Sequence, residues 1–313
     1  MSEACKICKN EQDNIIFIAQ EKMFNIKEQF QYLACAKCGC LQIKNIPTDV
    51  EKYYPSDYYS YNIDLPLSNL LQLIKDYLKR VCITWRIYNS GIIGNFSFSI
   101  YKDFPWIMKG KLHHNSSILD VGCGNGNLLL WMHRFGFKKL KGIDPYIEKD
   151  IEYPTGISIK KCFLQEETGL YDFIMLHHSF EHMENPWGVF KEIYRLLDPK
   201  GYALIRIPVA QSYAWRKYKT NWVQLDAPRH FFIHSVQSMS ILAEEAGLKL
   251  TKVMYDSNAL QFVGSEKYLR NIPFAQPDTD VFTKKEIRQF SKAATLLNRT
   301  NDGDSACFFF TKN

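Results

Sequence analysis

The 313-residue chain lacks any uninterrupted run of about 18 apolar residues, the length that crosses a bilayer, so no transmembrane helix is expected. The nearest approach, between Arg86 and Lys102, is broken by Asn89, Gly91, Gly94 and Asn95. The opening "MSEACKICKN" has no apolar h-region, so no secretory signal is expected and the reading is a cytoplasmic protein. Long blocks of like charge are also missing. The net charge is +6 and the pI about 8.7. The basic residues form no dense stripe with interleaved aromatics, which counts against nucleic acid as a partner. With 46% hydrophobic and 23% charged residues, the chain is too apolar to stay disordered and long enough for one large domain and a smaller one. It holds no internal repeat and no low-complexity tract.

Cysteine, by contrast, is plentiful. Nine cysteines without a secretory signal point to a reducing compartment, where spaced cysteines hold metal more often than they form disulfides. Cys5 and Cys8 form one C-x2-C knuckle and Cys35 and Cys38 a second. Two such tight turns each offer two thiolates, the donor set of a tetrahedral zinc site. Four sulfur ligands leave no open position, so the zinc is expected to be structural. Cys40 stands as an alternative to Cys38. The next stretch, "YYPSDYYSY" from Tyr53 to Tyr61, is too aromatic for an amphipathic element. It reads as a packed linker, with a lid over a ligand as the other option. Apolar residues from Leu67 to Val81 recur at helical spacing, and a second helix is expected from Phe98 to Met108, interrupted by Pro105.

From Ser117 the pattern alternates between short apolar strands ("SILDVG", "LKGID", "ISIKKCF", "YDFIMLH", "YALIRIPV", "KLTKVMYD") and helices ("NLLLWMHRFG", "PWGVFKEIYRLLDPKG", "SVQSMSILAEEAG"). This rhythm predicts an α/β fold with a mostly parallel, doubly wound sheet. A further helix, "TKKEIRQFSKAATLLNR", and a final strand, "SACFFFTK", complete it. The expected organisation is a small zinc-binding module over residues 1–46, a Tyr-rich and helical linker over 47–112, and the α/β domain over 113–313. An insertion near 258–300 is placed to cover a substrate.

The loop "LDVGCGNGN" follows the first α/β strand and opens a helix, the edge where open α/β sheets bind ligands. Gly122, Gly124 and Gly126 allow a tight turn and close approach of backbone N–H groups. A dinucleotide fingerprint would need G-x-G-x-x-G, and Asn127 stands where its third glycine belongs. Asp120 suits a cationic ligand better than a pyrophosphate. Together, "DVGCGNG" and the acidic end of "KGID" resemble the class I S-adenosylmethionine-dependent methyltransferases. The resemblance implies a Rossmann-like seven-stranded sheet with S-adenosylmethionine held by Asp120, Gly122, Cys123, Gly124 and Gly126. Asp144 would hold the ribose hydroxyls, with Pro145 next to it. Cys162 and Phe163 would flank the adenine, where the family often carries an Asp. His177 and His178 would line the cofactor from the end of the fourth strand.

Further along stands "LHHSFEHM", Leu176 to Met183. His178, Glu181 and His182 spell H-x-x-E-H, a zinc-peptidase pattern. With His177 and His178 closing a strand and no third ligand evident, that match reads as accidental. The family's base N-methylating members carry an Asp/Asn-Pro-Pro-aromatic tetrapeptide here, and "HHSF" replaces it. A further resemblance covers nearly the whole chain: a zinc-ribbon-like start, "YYPSDYY", the methyltransferase core and "WVQLDAPRHFFIHS" are similar to methyltransferases of bacterial glycan and natural-product pathways. It implies a small-molecule acceptor, a sugar, nucleotide-linked sugar or glycan precursor. O- or N-methylation is favoured over C-methylation, because the extra C-terminal domain of the sugar C-methyltransferases has no counterpart. His182 and His230 are the candidate bases, since imidazole titrates near neutrality. Arg229 and Tyr268 are candidate substrate contacts, joined by Gln261 and Glu266 in the insertion. The rival readings are an RNA methyltransferase and a non-catalytic protein that binds cofactor or docks a partner.

Overall fold

The structure, a computed structural model, describes residues 3–54, 81, 106–107 and 112–313. The expected helices from Leu67 and from Phe98, and the Tyr-rich stretch beyond Tyr54, fall outside the described residues apart from Val81, Trp106 and Ile107. By contact the chain divides into two units. The first comprises residues 1–56, 178–190 and 206–308; the second comprises 57–177, 191–205 and 309–313.

In chain order the strands begin with β1 (Ile15–Gln20), β2 (Gln29–Ala34) and β3 (Leu41–Ile43). The α/β part opens with β4 (Ser117–Val121), α1 (Asn127–Arg134), β5 (Lys139–Ile143), β6 (Ile151–Glu152), β7 (Ser158–Lys160) and β8 (Tyr171–His177). It continues through α2 (Pro186–Leu196), β9 (Leu197–Pro208), α3 (Tyr213–Tyr218), β10 (Phe232–Ile233), α4 (Val236–Glu245) and β11 (Leu248–Tyr255). It ends with α5 (Leu260–Leu269), α6 (Asp278–Val281), α7 (Lys284–Arg299) and β12 (Ser305–Lys312).

In the second unit β4 lies parallel between β5 and β8, and β5 is parallel to β7. Residues Ile118 to Val121 are buried, as a central parallel strand covered on both faces must be. The order of this sheet is β12-β9-β8-β4-β5-β7-β6. The two-residue β6 is antiparallel to β7 and sits at the edge. In the first unit β11 runs beside the start of β12. Among the described residues the sheet therefore has eight strands where seven were expected, because the edge piece β6 is too short to leave a periodic signal. A second departure concerns "DPKG". The sequence pattern places it at the end of the helical stretch, but α2 ends at Leu196, and β9 starts at Leu197 and carries those residues.

Local chemistry accounts for the helices. Pro186 starts α2 with φ already set, and the Asn185 side chain accepts from the Gly188 N–H at 3.0 Å. Val189, Phe190, Ile193 and Leu196 then recur at three- and four-residue spacing and are buried. Before α7, Thr283 and Glu286 exchange side-chain and backbone hydrogen bonds at 3.2 and 2.8 Å, a capping box.

The first unit holds the sheet β1-β2-β3-β10, antiparallel throughout. The cysteine-bearing segment thus does not complete its own sheet. Its fourth strand, Phe232 and Ile233, comes from the stretch that carries His230, and pairs with Gln42 and Leu41.

Candidate functional site

In the second unit the glycine loop has the backbone that its sequence demands. Gly122, Gly124 and Gly126 have φ of 72°, 53° and 76°, a left-handed region that costs other residues about 1–2 kcal/mol. The Gly122 N–H donates to the Ile143 carbonyl at 2.8 Å, which ties the loop to the end of β5. Asp144, just past β5, accepts from the Gly124 N–H and the Tyr146 N–H, each at 2.9 Å. Gly142 has no room for a side chain: a Cβ there would lie 2.4 Å from the Cys123 sulfur. Asp120, at the end of β4, is buried. Burial, and then the charge of Asp144, push its carboxyl up to about 8. Burial likewise raises the Cys123 and Cys162 thiols, so neither is a ready nucleophile. Phe163 is 57% exposed, an apolar face open to a ring. Pro145 follows Asp144 directly. The His177 ring, at the end of β8, lies 4.7 Å from the Trp106 ring. A turn of left-handed glycines between two carboxylates suits a ligand with hydroxyls and positive charge.

His178 belongs to the first unit, and its chemistry there differs from the cofactor contact expected of it. Arg206 donates to its Nε2 at 2.5 Å, and its Nδ1 lies 3.4 Å from Glu181 Oε1. Both ring nitrogens are engaged by protein. Arg206 is itself paired with Asp256 at 2.6 Å.

The three residues of the H-x-x-E-H pattern do not gather as one set: His178 lies against Arg206, while Glu181 and His182 meet a residue outside the pattern. Phe180 to His182 form a single 3-10 turn, and Glu181 points into the protein with no exposed surface. The third group comes from a distant stretch: Glu181, His182 and His230 each bring a ligand-type atom within 4.8 Å of the others. The Arg229 carbonyl sits 2.8 Å from His182 Nδ1, and the Gln224 carbonyl 2.8 Å from His230 Nδ1. A carbonyl only accepts, so each Nδ1 carries the proton and each Nε2 of a neutral ring keeps its lone pair. The rings are 4.8 Å apart in an edge-to-face arrangement. Burial, and then the neighbouring His182, push His230 down to about 4. His182 is half-buried and the Tyr54 hydroxyl lies 3.0 Å from its Nδ1. Glu181 is held down to about 2: the contact with His178 and the charges of His182, His178 and His230 together outweigh burial, the largest single influence, which acts the other way.

Arg229 is not a substrate anchor. It is fully buried, pairs with Asp226 at 2.5 Å and Glu21 at 3.1 Å, and donates to the Tyr53 carbonyl at 3.2 Å. Its guanidinium is consumed by protein groups and holds the His230 loop in place. Tyr268 is buried and borders a small cleft, with a cavity volume of about 10 Å³, beside Gln20, Lys22, Thr220, Trp222 and Asp226. Burial raises its phenol, so it stays a hydrogen-bond donor. Gln261 is buried within α5, and Glu266 accepts from the Tyr218 hydroxyl at 2.8 Å. Both face protein rather than a ligand.

At the N-terminal knuckles the sulfurs of Cys5, Cys8, Cys35 and Cys38 gather within 4.8 Å of one another. Cys5 and Cys38 are 3.7 Å apart, and Cys8 and Cys35 are 3.4 Å apart. Zinc with four sulfurs at about 2.3 Å requires sulfur spacings of about 3.8 Å, so the donor set fits the ion. The contact from Cys38 draws the Cys5 thiol down to about 5. Cys40 lies outside this group. It is fully buried, 4.0 Å from His234 Nδ1, and burial raises its thiol far above the usual range. Glu21, Tyr32 and Arg206 had no distinguishing sequence signal, because their partners lie far along the chain. The Tyr32 hydroxyl, for example, donates to the His230 carbonyl at 2.8 Å across 198 residues.

Residues 101–253 match the family model described as a methyltransferase domain. The EEF1A lysine methyltransferase 2 of Danio rerio is 27% identical over 147 residues, 46% of this chain and 58% of that protein. The ubiquinone biosynthesis O-methyltransferase of Rickettsia bellii is 31% identical over 111 residues, 32% of this chain and 46% of that protein. The chain spans about half the length of the curated relatives it matches. Among solved structures, the mycolic acid cyclopropane synthase CmaA1 complexed with SAH and CTAB superposes with a TM-score of 0.44 and 14% identity, covering 70% of this chain and 84% of that one.

Proposed function

We propose that this chain, which carries a methyltransferase domain at residues 101–253, transfers the methyl group of S-adenosylmethionine to a small, hydroxyl-rich acceptor of the sugar or nucleotide-sugar class. One observation carries the cofactor assignment: three left-handed glycines between Asp120, raised by burial, and Asp144, whose oxygens face the loop. Asp144 retains acceptor capacity for ribose hydroxyls. The sulfonium and ammonium charges of the cofactor suit the charge of Asp144 and, once bound, favour release of the proton that Asp120 holds. Cys162 and Phe163 border the adenine, and the backbone at Pro145 and His177 lines the same ligand.

Methyl transfer is an in-line displacement at carbon. Positioning contributes most of its rate, and a hydroxyl nucleophile must also lose its proton. The cluster of Glu181, His182 and His230 handles that proton in this reading. His182 is the half-exposed member, and His230, neutral at pH 7, orients it. The four cysteines hold a structural zinc.

The test is calorimetry with S-adenosylmethionine and S-adenosylhomocysteine, followed by transfer of labelled methyl to a panel of nucleotide sugars. Saturable binding that falls at least about tenfold in Asp144→Ala is expected, from the loss of hydrogen bonds to a charged group. Absence of binding in the intact protein sinks the cofactor assignment. Binding with label appearing only in RNA or protein sinks the acceptor class.

A further inference from the structure

The carboxylate of Glu181 is sealed inside the protein, close to three imidazoles. The residue has no exposed surface, and neither of its oxygens makes a hydrogen bond. The nearest bases are His178 Nδ1 at 3.4 Å and His230 Nε2 at 4.0 Å. Its protein partner is the long contact from His178, and buried carboxylates in stable proteins are paired more closely or coordinate metals. Arg206, the nearby guanidinium, is matched by Asp256. Arg229 is shared between Glu21 and Asp226. Among the described residues, Glu21 and Asp226 share Arg229, and Glu181 has only the His178 imidazole at 3.4 Å as an ion-pair contact under 4 Å.

The imidazoles are already oriented for a ligand. Both donate Nδ1–H to backbone carbonyls, Arg229 for His182 and Gln224 for His230. A hydrogen bond of that kind fixes the tautomer of a metal-bound histidine and raises the basicity of its other nitrogen. The two Nε2 lone pairs and one carboxylate then form a two-histidine, one-carboxylate set. One ring nitrogen of each histidine and a carboxylate oxygen lie within 4.8 Å of one another, with His230 Nε2 4.0 Å from Glu181 Oε1, so small side-chain shifts bring all three to the 2.0–2.2 Å of nitrogen and oxygen ligands on zinc.

We infer that Glu181, His182 and His230 form a second metal site, distinct from the four cysteines, which takes a divalent transition-metal cation and leaves a coordination position open. The cation sets positive charge directly against the buried Glu181 carboxylate. This deepens the methyl-transfer reading: with the ion bound, His182 serves as a ligand and an acceptor oxygen takes the open position, in place of direct proton removal by His182.

The site is tested by metal binding alone. Chelator-treated full-length protein is titrated with Co²⁺ under reducing conditions and followed by visible absorption, with bound metal counted by mass spectrometry. Two equivalents are expected. One shows thiolate charge-transfer absorption, which Cys8→Ala abolishes. The other shows ligand-field absorption without it, and His230→Ala and the isosteric Glu181→Gln each abolish that signal. The retained thiolate band in the two latter variants reports that they are folded. A single equivalent in the intact protein, or a second equivalent that survives both variants, overturns the proposal. The measurement uses neither cofactor nor acceptor. A protein that binds the second metal but transfers no methyl therefore refutes the methyl-transfer reading alone, and one that turns over with a single metal refutes the site alone.

Discussion

At Asp120 a carboxyl group sits buried beside Asp144, and burial with that charge pushes it up to about 8. Unfolded, the same group titrates near 4. Between those values the folded chain keeps a proton that the unfolded chain has released, so this residue lowers stability as pH rises. Asp120→Asn removes that dependence. Urea unfolding of the cofactor-free protein should show the variant more stable than the parent by about 1–4 kcal/mol at pH 8 and no gain near pH 4; equal differences at both values refute this. His234 acts in the opposite sense. It is fully buried, stacked 5.0 Å from Phe180 and 5.8 Å from Phe232, and burial pushes it down to about 3. Below about pH 6.5 the unfolded chain takes a proton that the native ring refuses. Stability should fall as pH drops from 6.5 toward 3, and His234→Phe should flatten that fall in thermal melts.

At the scale of elements, the segment joining β1 to β2 supplies Glu21, and the loop before β10 supplies Asp226 and Arg229. Glu21→Leu leaves the fully buried Arg229 with Asp226 as its remaining carboxylate partner. The expected loss is about 3 kcal/mol of unfolding free energy in denaturant titration, whereas a change below about 0.5 kcal/mol means the pair is dispensable. The helices α1, α2, α4 and α7 and most strands were legible because each is specified locally, by the three- and four-residue apolar spacing of α2 or the capping box of α7, whereas α3, α5 and α6 were not legible as helices. The glycine loop was legible for the same reason, since three φ values near +70° demand one residue type. Arg229 was not: its partner Glu21 lies 208 residues away, and a basic residue in a loop reads alike whether it meets substrate or protein. His230 was named as a base, but its convergence with Glu181 has no local pattern.

At the scale of the whole chain, the four cysteines tie residues on both sides of β1 and β2 to one point. Loss of their metal should therefore loosen the entire sheet β1-β2-β3-β10, not a single turn. Cys8→Ala is expected to remove zinc from the purified protein and to lower the melting temperature by several degrees, consistent with a loss of a few kcal/mol. Cys40→Ala should retain the metal, because that sulfur lies outside the group. Zinc that survives Cys8→Ala but not Cys40→Ala reverses the ligand set. Among the described residues no helix is long and apolar enough to cross a membrane.

The pairing of β3 with β10 also sets an order of events during synthesis. Gln42 and Leu41 leave the ribosome long before Phe232 and Ile233, their partners. Until then the nascent β3 presents an open edge, a template for association with other chains. The cysteines, complete by residue 38, can close on zinc in that interval and hold the hairpin of β1 and β2 together while the rest is made. A cell short of zinc should then yield aggregated nascent chains in preference to folded protein without metal. Conversely, the loop bearing His230 reaches its working position only after the oldest part of the chain is in place to receive it.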